Sequence, residues 1–247
     1  MKPFVPPTIA LALLLGLWEI GCRVTGINPI VLPPPTAIGR ALIAHRAELA
    51  TELGITMFES VAGFVLGSVM AYVLAILFAH SRNIRDAIYP YAVAIKSTPL
   101  IAIAPILVLW LGNGVISKIV MSALVAFFPV LVSATAGLQA VHPELLELMD
   151  SLGASKRHVL LKVRIPSSAS HVFAALRVAS SLSVVGAVIA EFTGATRGIG
   201  HLIKTSSYYL DTAQMFAAVT VLSIAGIAFF ALVGYLERRL VYWQPSP

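Results

Sequence analysis

One cysteine, Cys22, stands in 247 residues, so no disulfide can form within the chain. Charge is scarce as well: Asp, Glu, Lys and Arg make up 11% of the chain, against about 25% in soluble domains. No glycine precedes a lysine, which excludes the G-x-x-x-x-G-K-[ST] phosphate loop. Gly198-Ile199-Gly200 lacks the third glycine and the preceding strand of a dinucleotide site. There is no H-E-x-x-H and no G-x-S-x-G. The six histidines are scattered and read as surface or interface residues, not metal ligands. No constellation for catalysis is visible, so no enzyme activity is assigned to the chain and no metal or cofactor is expected in it.

What is present is apolar sequence. Hydrophobic residues make up 58% of the chain, which reads as an all-α membrane protein. Six spans of about 20 residues follow, near 4–22, 55–79, 88–111, 116–138, 168–192 and 213–236. The first follows Lys2 like a signal peptide, but no clear small-residue cleavage site precedes a soluble domain, and it is read as a span. The net charge of +6 comes from basic residues spread between apolar blocks, which does not suggest nucleic acid. With both termini in the cytoplasm, nine Lys and Arg fall inside, and Arg23, Arg40, Arg46, Lys118, Arg197 and Lys204 make six outside. That bias has the expected sign for the plasma membrane of a prokaryote.

Within the spans, spacing carries the information. Glu59, Gly63, Gly67, Ala71 and Ala75 stand four apart. Successive members drift about 40° round a helix, so neighbours share nearly one face. Small residues so placed let helices approach closely, which marks Gly63 and Gly67 as packing positions. The fifth span repeats the device with Ala175, Ala179, Ser183, Ala187 and then Glu191. A carboxylate facing lipid costs at least ~2.5 kcal/mol, so Glu59 and Glu191 are expected to face the protein interior. Either lines a solute path or gate, or ties two helices together. The third span opens on Lys96-Ser97-Thr98-Pro99, with Pro105 behind it. Two prolines break the backbone ladder, as in the broken helices beside many transport paths, and Lys96 and Pro99 are candidates for such a path. On the outside, Thr36 can cap a helix through Ile38, Leu42 and Ile43.

The longest hydrophilic interruption is Glu144 to Pro166. Pro143 suits a first turn, and Glu144 the positive end of a helix dipole. Leu145, Leu148, Met149 and Leu152 share one face, while Glu147 and Asp150 point elsewhere. Gly153 can end this helix, Ser155 can cap a second one, and Pro166 is expected to stop that. Two short amphipathic helices joined at a glycine look like a docking element for a soluble partner.

This stretch resembles the EAA loop of ABC-importer permeases, through Glu147, Gly153, Ala154 and Val163-Arg164-Ile165-Pro166. Leu148-Met149 stands where that family often has two alanines. Thr98 to Ile119 resembles the nitrate, sulfonate and taurine branch of the same family, which also holds importers of thiamine pyrimidine precursors and riboflavin. Glu191-Phe192-Thr193-Gly194-Ala195 resembles the heterocycle group more than the oxyanion group. The resemblance covers nearly the whole chain. It implies a single permease domain over 1–247, with a core near 52–237 and a coupling loop at 143–166. It implies the type I importer fold, a second permease copy (a homodimer), two ATPase subunits that bind the ATP and Mg, and an external solute-binding protein. An intramembrane enzyme and a secondary transporter are the alternatives; the first needs a catalytic constellation, and the second needs no docking loop.

Overall fold

A computed structural model describes residues 5–96 and 99–243, with the side chains of 5–7, 82, 92–96 and 100 outside the description. Lys2, Ser97, Thr98 and the Lys96 side chain therefore lie outside the described residues. The described residues are helical, with no strand among them. In chain order the helices are α1 Val5–Thr25, α2 Pro35–Ala44, α3 Arg46–His80, α4 Arg82–Lys96, α5 Leu100–Leu111 and α6 Val115–Gln139. There follow α7 Pro143–Ser151, α8 Lys156–Val159, α9 Ile165–Gly194, α10 Ile199–Tyr208 and α11 Thr212–Leu240.

Five helical runs among the described residues are long and apolar enough to cross a bilayer: Thr8–Thr25, Arg46–His80, Val115–Gln139, Lys156–Gly194 and Thr212–Leu240. The expected third span is not one helix. It divides into α4, which starts at Arg82, and the 12-residue α5. Proline restricts the residue before it to extended backbone, so a helix ends more readily ahead of Pro99 than across it. Pro99 itself is extended, with φ −58° and ψ 111°, and precedes α5 as its cap. Pro105 sits inside α5, where its missing N–H leaves the Ile101 carbonyl without its ladder bond but does not end the helix.

The chain divides into two compact units. The first combines residues up to Ile55 with Thr196–Ile224. Its core joins Ile38 and Leu49 to Ile199, Leu202, Ala217 and Ala218, with Trp18 tilted against Phe216 at 5.9 Å between ring centroids. Thr36 does not cap α2, because Pro34 holds that position. Its backbone N–H and hydroxyl both donate to Glu19, at 3.1 and 3.0 Å, which ties α2 to α1. Arg197 pairs with Glu52 at 2.7 Å, and Gln214 donates to Glu48 at 2.8 Å.

The second unit combines Thr56–Ala195 with the chain from Ala225 onward, and α6 is its axis. Lys118, Ser122, Ala126, Val130, Ala134 and Leu138, each four apart, are all buried. The four-spaced faces of α3 and α9 meet this helix. Glu59, Gly63, Gly67, Ala71 and Ala75 are buried, whereas Val65, Val69 and Val73 on the same helix are exposed. On α9, Ala175, Ala179, Ser183, Ala187 and Glu191 are buried, and Val178, Val185 and Phe192 are exposed. A Cβ on Gly63 would overlap Ser122 and come within 2.7 Å of the Ile119 carbonyl; one on Gly67 would overlap the Ala123 carbonyl. From the other side, a Cβ on Gly186 would lie 2.9 Å from Ser122 Cα. Ser122 uses this closeness: its hydroxyl donates to the Ser183 carbonyl at 2.9 Å and lies 3.3 Å from that of Ser60. Lipid tails are as apolar as leucine, so such close packing and interhelical hydrogen bonds of about 0.6 kcal/mol, rather than hydrophobic burial, hold spans together. Larger side chains complete the packing with Phe78, Phe128, Leu131 and Leu138.

Candidate functional site

Two sites follow from this architecture, one at the end of α6 that begins with Val115 and one at the opposite end. At the first, the sequence alone makes Lys118 a loop charge, but it is 1% exposed, in the first turn of α6. Its ammonium donates to the Asn113 carbonyl and, at 3.1 Å, to that of Gly194. Gly194 is the last residue of α9, the negative end of the helix dipole, so the cation is held where the helix favours one. A Cβ on Gly194 would lie 2.7 Å from Asn113 Oδ1 and press that side chain aside. The turn at Gly112, with φ +79°, brings Asn113 to this position.

Glu59 on α3 and Glu191 on α9 converge on the same place. They are 3% and 1% exposed. The two carboxyls are close enough to interact electrostatically with each other and with Lys118. The Thr56 hydroxyl donates to Glu191 Oε1 at 2.7 Å. Glu59 Oε2 is buried with no hydrogen-bond partner among the described residues. Three helices thus meet at two acids, one lysine and a hydroxyl, inside the protein and away from lipid. Thr56 and Lys118 escaped the sequence reading. The signal was present: Lys118 lies four before Ser122, in the same spacing that marked α3 and α9. Pro99 stands apart from this cluster as an exposed residue before α5, and the Lys96 side chain lies outside the described residues.

Removing the cation leaves buried acids without it and two carbonyls without their donor. Each buried carbonyl left without its donor costs about 1–3 kcal/mol. Lys118→Met is therefore expected to lower the thermal stability of the detergent-solubilised protein markedly, with Lys118→Arg milder. An unchanged unfolding temperature for Lys118→Met would show that the ammonium does not brace the cluster.

At the other end, α7 is built as its sequence suggests. Pro143 occupies its first turn and Glu144 follows. Gly153 has φ +65°; its N–H donates to the Asp150 carbonyl, and that of Ala154 to Met149, both at 2.9 Å, which closes the helix end. No residue of α7 is buried. Leu145, Leu148 and Leu152 are 40%, 53% and 71% exposed, Met149 is half-buried beside them, and Glu144 and Glu147 are exposed. Ser155 caps α8 by accepting from the His158 N–H at 3.3 Å.

Pro166 does not stop the second helix. α8 passes through a π-helical turn, Leu160–Arg164, straight into α9, and Pro166 sits in the first turn of α9. A proline inside an α-helix leaves one carbonyl without its N–H and clashes with it. The wider π turn, whose bonds reach one residue further, accommodates both effects. α8 and a membrane span are thereby one continuous rod, joined to α7 through the turn at Gly153, a structure suited to transmitting displacement. Further along α9, the Arg177 guanidinium lies 2.9 Å from Glu237 Oε2, an ion pair without hydrogen-bond alignment, and 5.8 Å above the Phe230 ring.

Similarity to known proteins agrees with this arrangement. Residues 49–242 match the family described as the inner membrane component of binding-protein-dependent transport systems. The formylaminopyrimidine transport permease protein ThiX of Halalkalibacterium halodurans is 33% identical, covering 96% of this chain and 95% of its own. The riboflavin transport system permease protein RibX of Chloroflexus aurantiacus is 31% identical over 96% and 90%. The taurine transport system permease protein TauC of Escherichia coli is 30% identical over 95% and 88%. Among solved structures, an amino acid ABC transporter shares the fold with a TM-score of 0.63 at 20% identity, covering 80% of this chain and 96% of its own. The MetNI methionine ABC transporter shares it with a TM-score of 0.55 at 19% identity, over 85% and 97%. The chain therefore belongs to the inner membrane components of binding-protein-dependent transport systems: it is a multi-pass permease of an ABC importer.

Proposed function

We propose that this permease imports a nitrogen heterocycle of the pyrimidine-precursor or riboflavin kind. It works as a homodimer with two ATPase subunits and an extracytoplasmic binding protein, and both its termini are cytoplasmic. The ATP and Mg are bound by the ATPases. The observation that carries the reading is the exposed apolar face of α7, joined through the turn at Gly153 to a helix continuous with a span, in a chain of this family. Closure of the ATPases moves α7, and the rod of α8 and α9 passes the movement to the spans.

The substrate class rests on two supports. Two of the relatives above are named for a formylaminopyrimidine and for riboflavin. The buried charges also do not suit a small oxyanion: two acids face one lysine, that lysine is bound to backbone carbonyls, and Arg177 is paired with Glu237. Glu59 and Glu191 then act as path or gate groups where α3, α6 and α9 converge.

Reconstitution with the cognate ATPase and binding protein tests this. ATP-dependent uptake of an aminopyrimidine or a flavin, and not of taurine, is the expected result; uptake of taurine or a sulfonate alone would overturn the substrate class. In the same vesicles Glu191→Gln keeps the shape and removes the charge. It is expected to cut uptake by about tenfold or more, the scale of one charge-assisted hydrogen bond, while assembly and ATP hydrolysis persist. Unchanged uptake would exclude the path role, and loss of assembly would make Glu191 a structural tie.

A further inference from the structure

Behind the docking helix lies a cavity of about 290 Å³ that transport itself does not explain. It opens between the end of α3, the rear of α7 and the start of α8, and is lined by His80, Leu146, Asp150, Lys156, Leu160 and Arg164 among others. Its size is at the lower limit of small-molecule sites, which run from about 300 to 1,000 Å³. That suits a headgroup or a small anion and excludes a large cofactor.

The position is informative in two ways. At 100° per residue, Leu146 and Asp150 lie on the side of α7 away from Leu145, Leu148 and Leu152. A partner seated on the exposed leucines would leave the cavity open. A side chain of the kind found at membrane interfaces also lies close by. Trp243, whose ring suits the membrane interface, donates from Nε1 to the Pro166 carbonyl at 3.4 Å, two residues beyond Arg164.

The charges select the ligand. Lys156 and Arg164 supply two cations, and Asp150 is the one acid on the wall. None of the three enters an ion pair among the described residues. Arg164 uses one Nη1 contact, 3.4 Å to the Leu138 carbonyl, which points its guanidinium along the wall and leaves its other donors available. Two unneutralised cations in a partly closed site fit a phosphate, and Asp150 can accept a hydroxyl from whatever carries it.

We propose that this cavity binds a phosphate group, free or carried by an anionic phospholipid headgroup, through Lys156 and Arg164. Bound there, the phosphate ties α8 to the π turn behind α7. This goes beyond the transport reading, and since its test measures binding alone, failure would leave that reading standing.

The experiment uses the purified full chain. Thermal unfolding is followed in detergent with inorganic phosphate against chloride at equal ionic strength. It is followed again in nanodiscs of phosphatidylglycerol against phosphatidylcholine. Stabilisation by phosphate identifies a soluble anion site, and stabilisation by phosphatidylglycerol alone identifies a lipid site. Lys156→Gln is expected to weaken the effect about tenfold, the scale of losing one hydrogen bond to a charged group. Lys162→Gln, an exposed lysine of the same loop outside the lining, should leave it unchanged. Lys156 carries the test because Arg164 also braces α6. No stabilisation by either probe, or equal losses from Lys156→Gln and Lys162→Gln, would overturn the site.

Discussion

Replacing Gly67 with leucine is expected to abolish recovery of folded permease. The reason is local and severe: even a Cβ at this position overlaps the Ala123 carbonyl and comes within 3.0 Å of the Ala123 carbonyl carbon. Those are backbone atoms of the central helix, which cannot move aside as a side-chain tip could. Overpacking a well-filled core costs about 1–3 kcal/mol when neighbours can yield, and more when they cannot. Parting α3 from α6 would also loosen the Ser122 contact with the Ser60 carbonyl. Gly67→Ala should give an intermediate loss. Leucine at Val69, exposed on the same helix, should cost nothing comparable. Yield of monodisperse protein on size exclusion, with its unfolding temperature, reads the series. A Gly67→Leu protein recovered at the normal level would mean that α3 and α6 do not cross here.

Leu148→Asp is expected to separate transport from ATP hydrolysis without disturbing the permease. Leu148 is half-exposed on a helix with no buried residue, so the isolated protein should fold as before. Seated in a partner groove, however, leucine contributes about 1.5–3 kcal/mol of apolar burial. An aspartate there forfeits that contribution, and its unpaired charge loses hydration at a cost of several kcal/mol more. The expected result is loss of co-purification with the ATPase, or ATP hydrolysis no longer accompanied by uptake. Glu144→Gln on the same helix should have a small effect, since a first-turn acid contributes about 0.3–1 kcal/mol through the helix dipole. A Leu148→Asp complex that assembles and transports at the normal rate would remove α7 as the docking element.

The cavity behind α7 and the leucines in front of it make opposite demands on the same nine-residue helix. The front exposes an apolar stripe, and on the rear Asp150 shares the cavity wall with Lys156 and Arg164. A change at Leu148 and one at Lys156 should therefore act additively on stability, since they share no partner.

Much of this was legible in the sequence. Apolar blocks of bilayer length cannot be anything but buried in lipid or protein, so the spans of α1, α3, α6, α9 and α11 follow from composition and length. Four-residue spacing of Gly, Ala and Ser is a property of one helix face, so the packing stripes of α3 and α9 could be read before any partner was known. Capping is local too, and Pro143, Gly153 and Ser155 stand where the limits of α7 and α8 need them. Other features depend on residues far apart in the chain, and only the tertiary structure decided them. Lys118 looked like a loop charge because nothing nearby in sequence neutralises it; its partners are the end of α9 and the acids of α3 and α9. Thr36 looked like a cap until Glu19, 17 residues earlier, claimed both its polar groups. Pro166 is the sharpest instance. Its ring forbids an ordinary α-helical bond, which in isolation predicts a stop, yet the packing of α9 along α6 favours a continuous helix enough to absorb the defect in a π turn. Local chemistry set where helices could begin and end, and contacts between helices chose which of those possibilities were used.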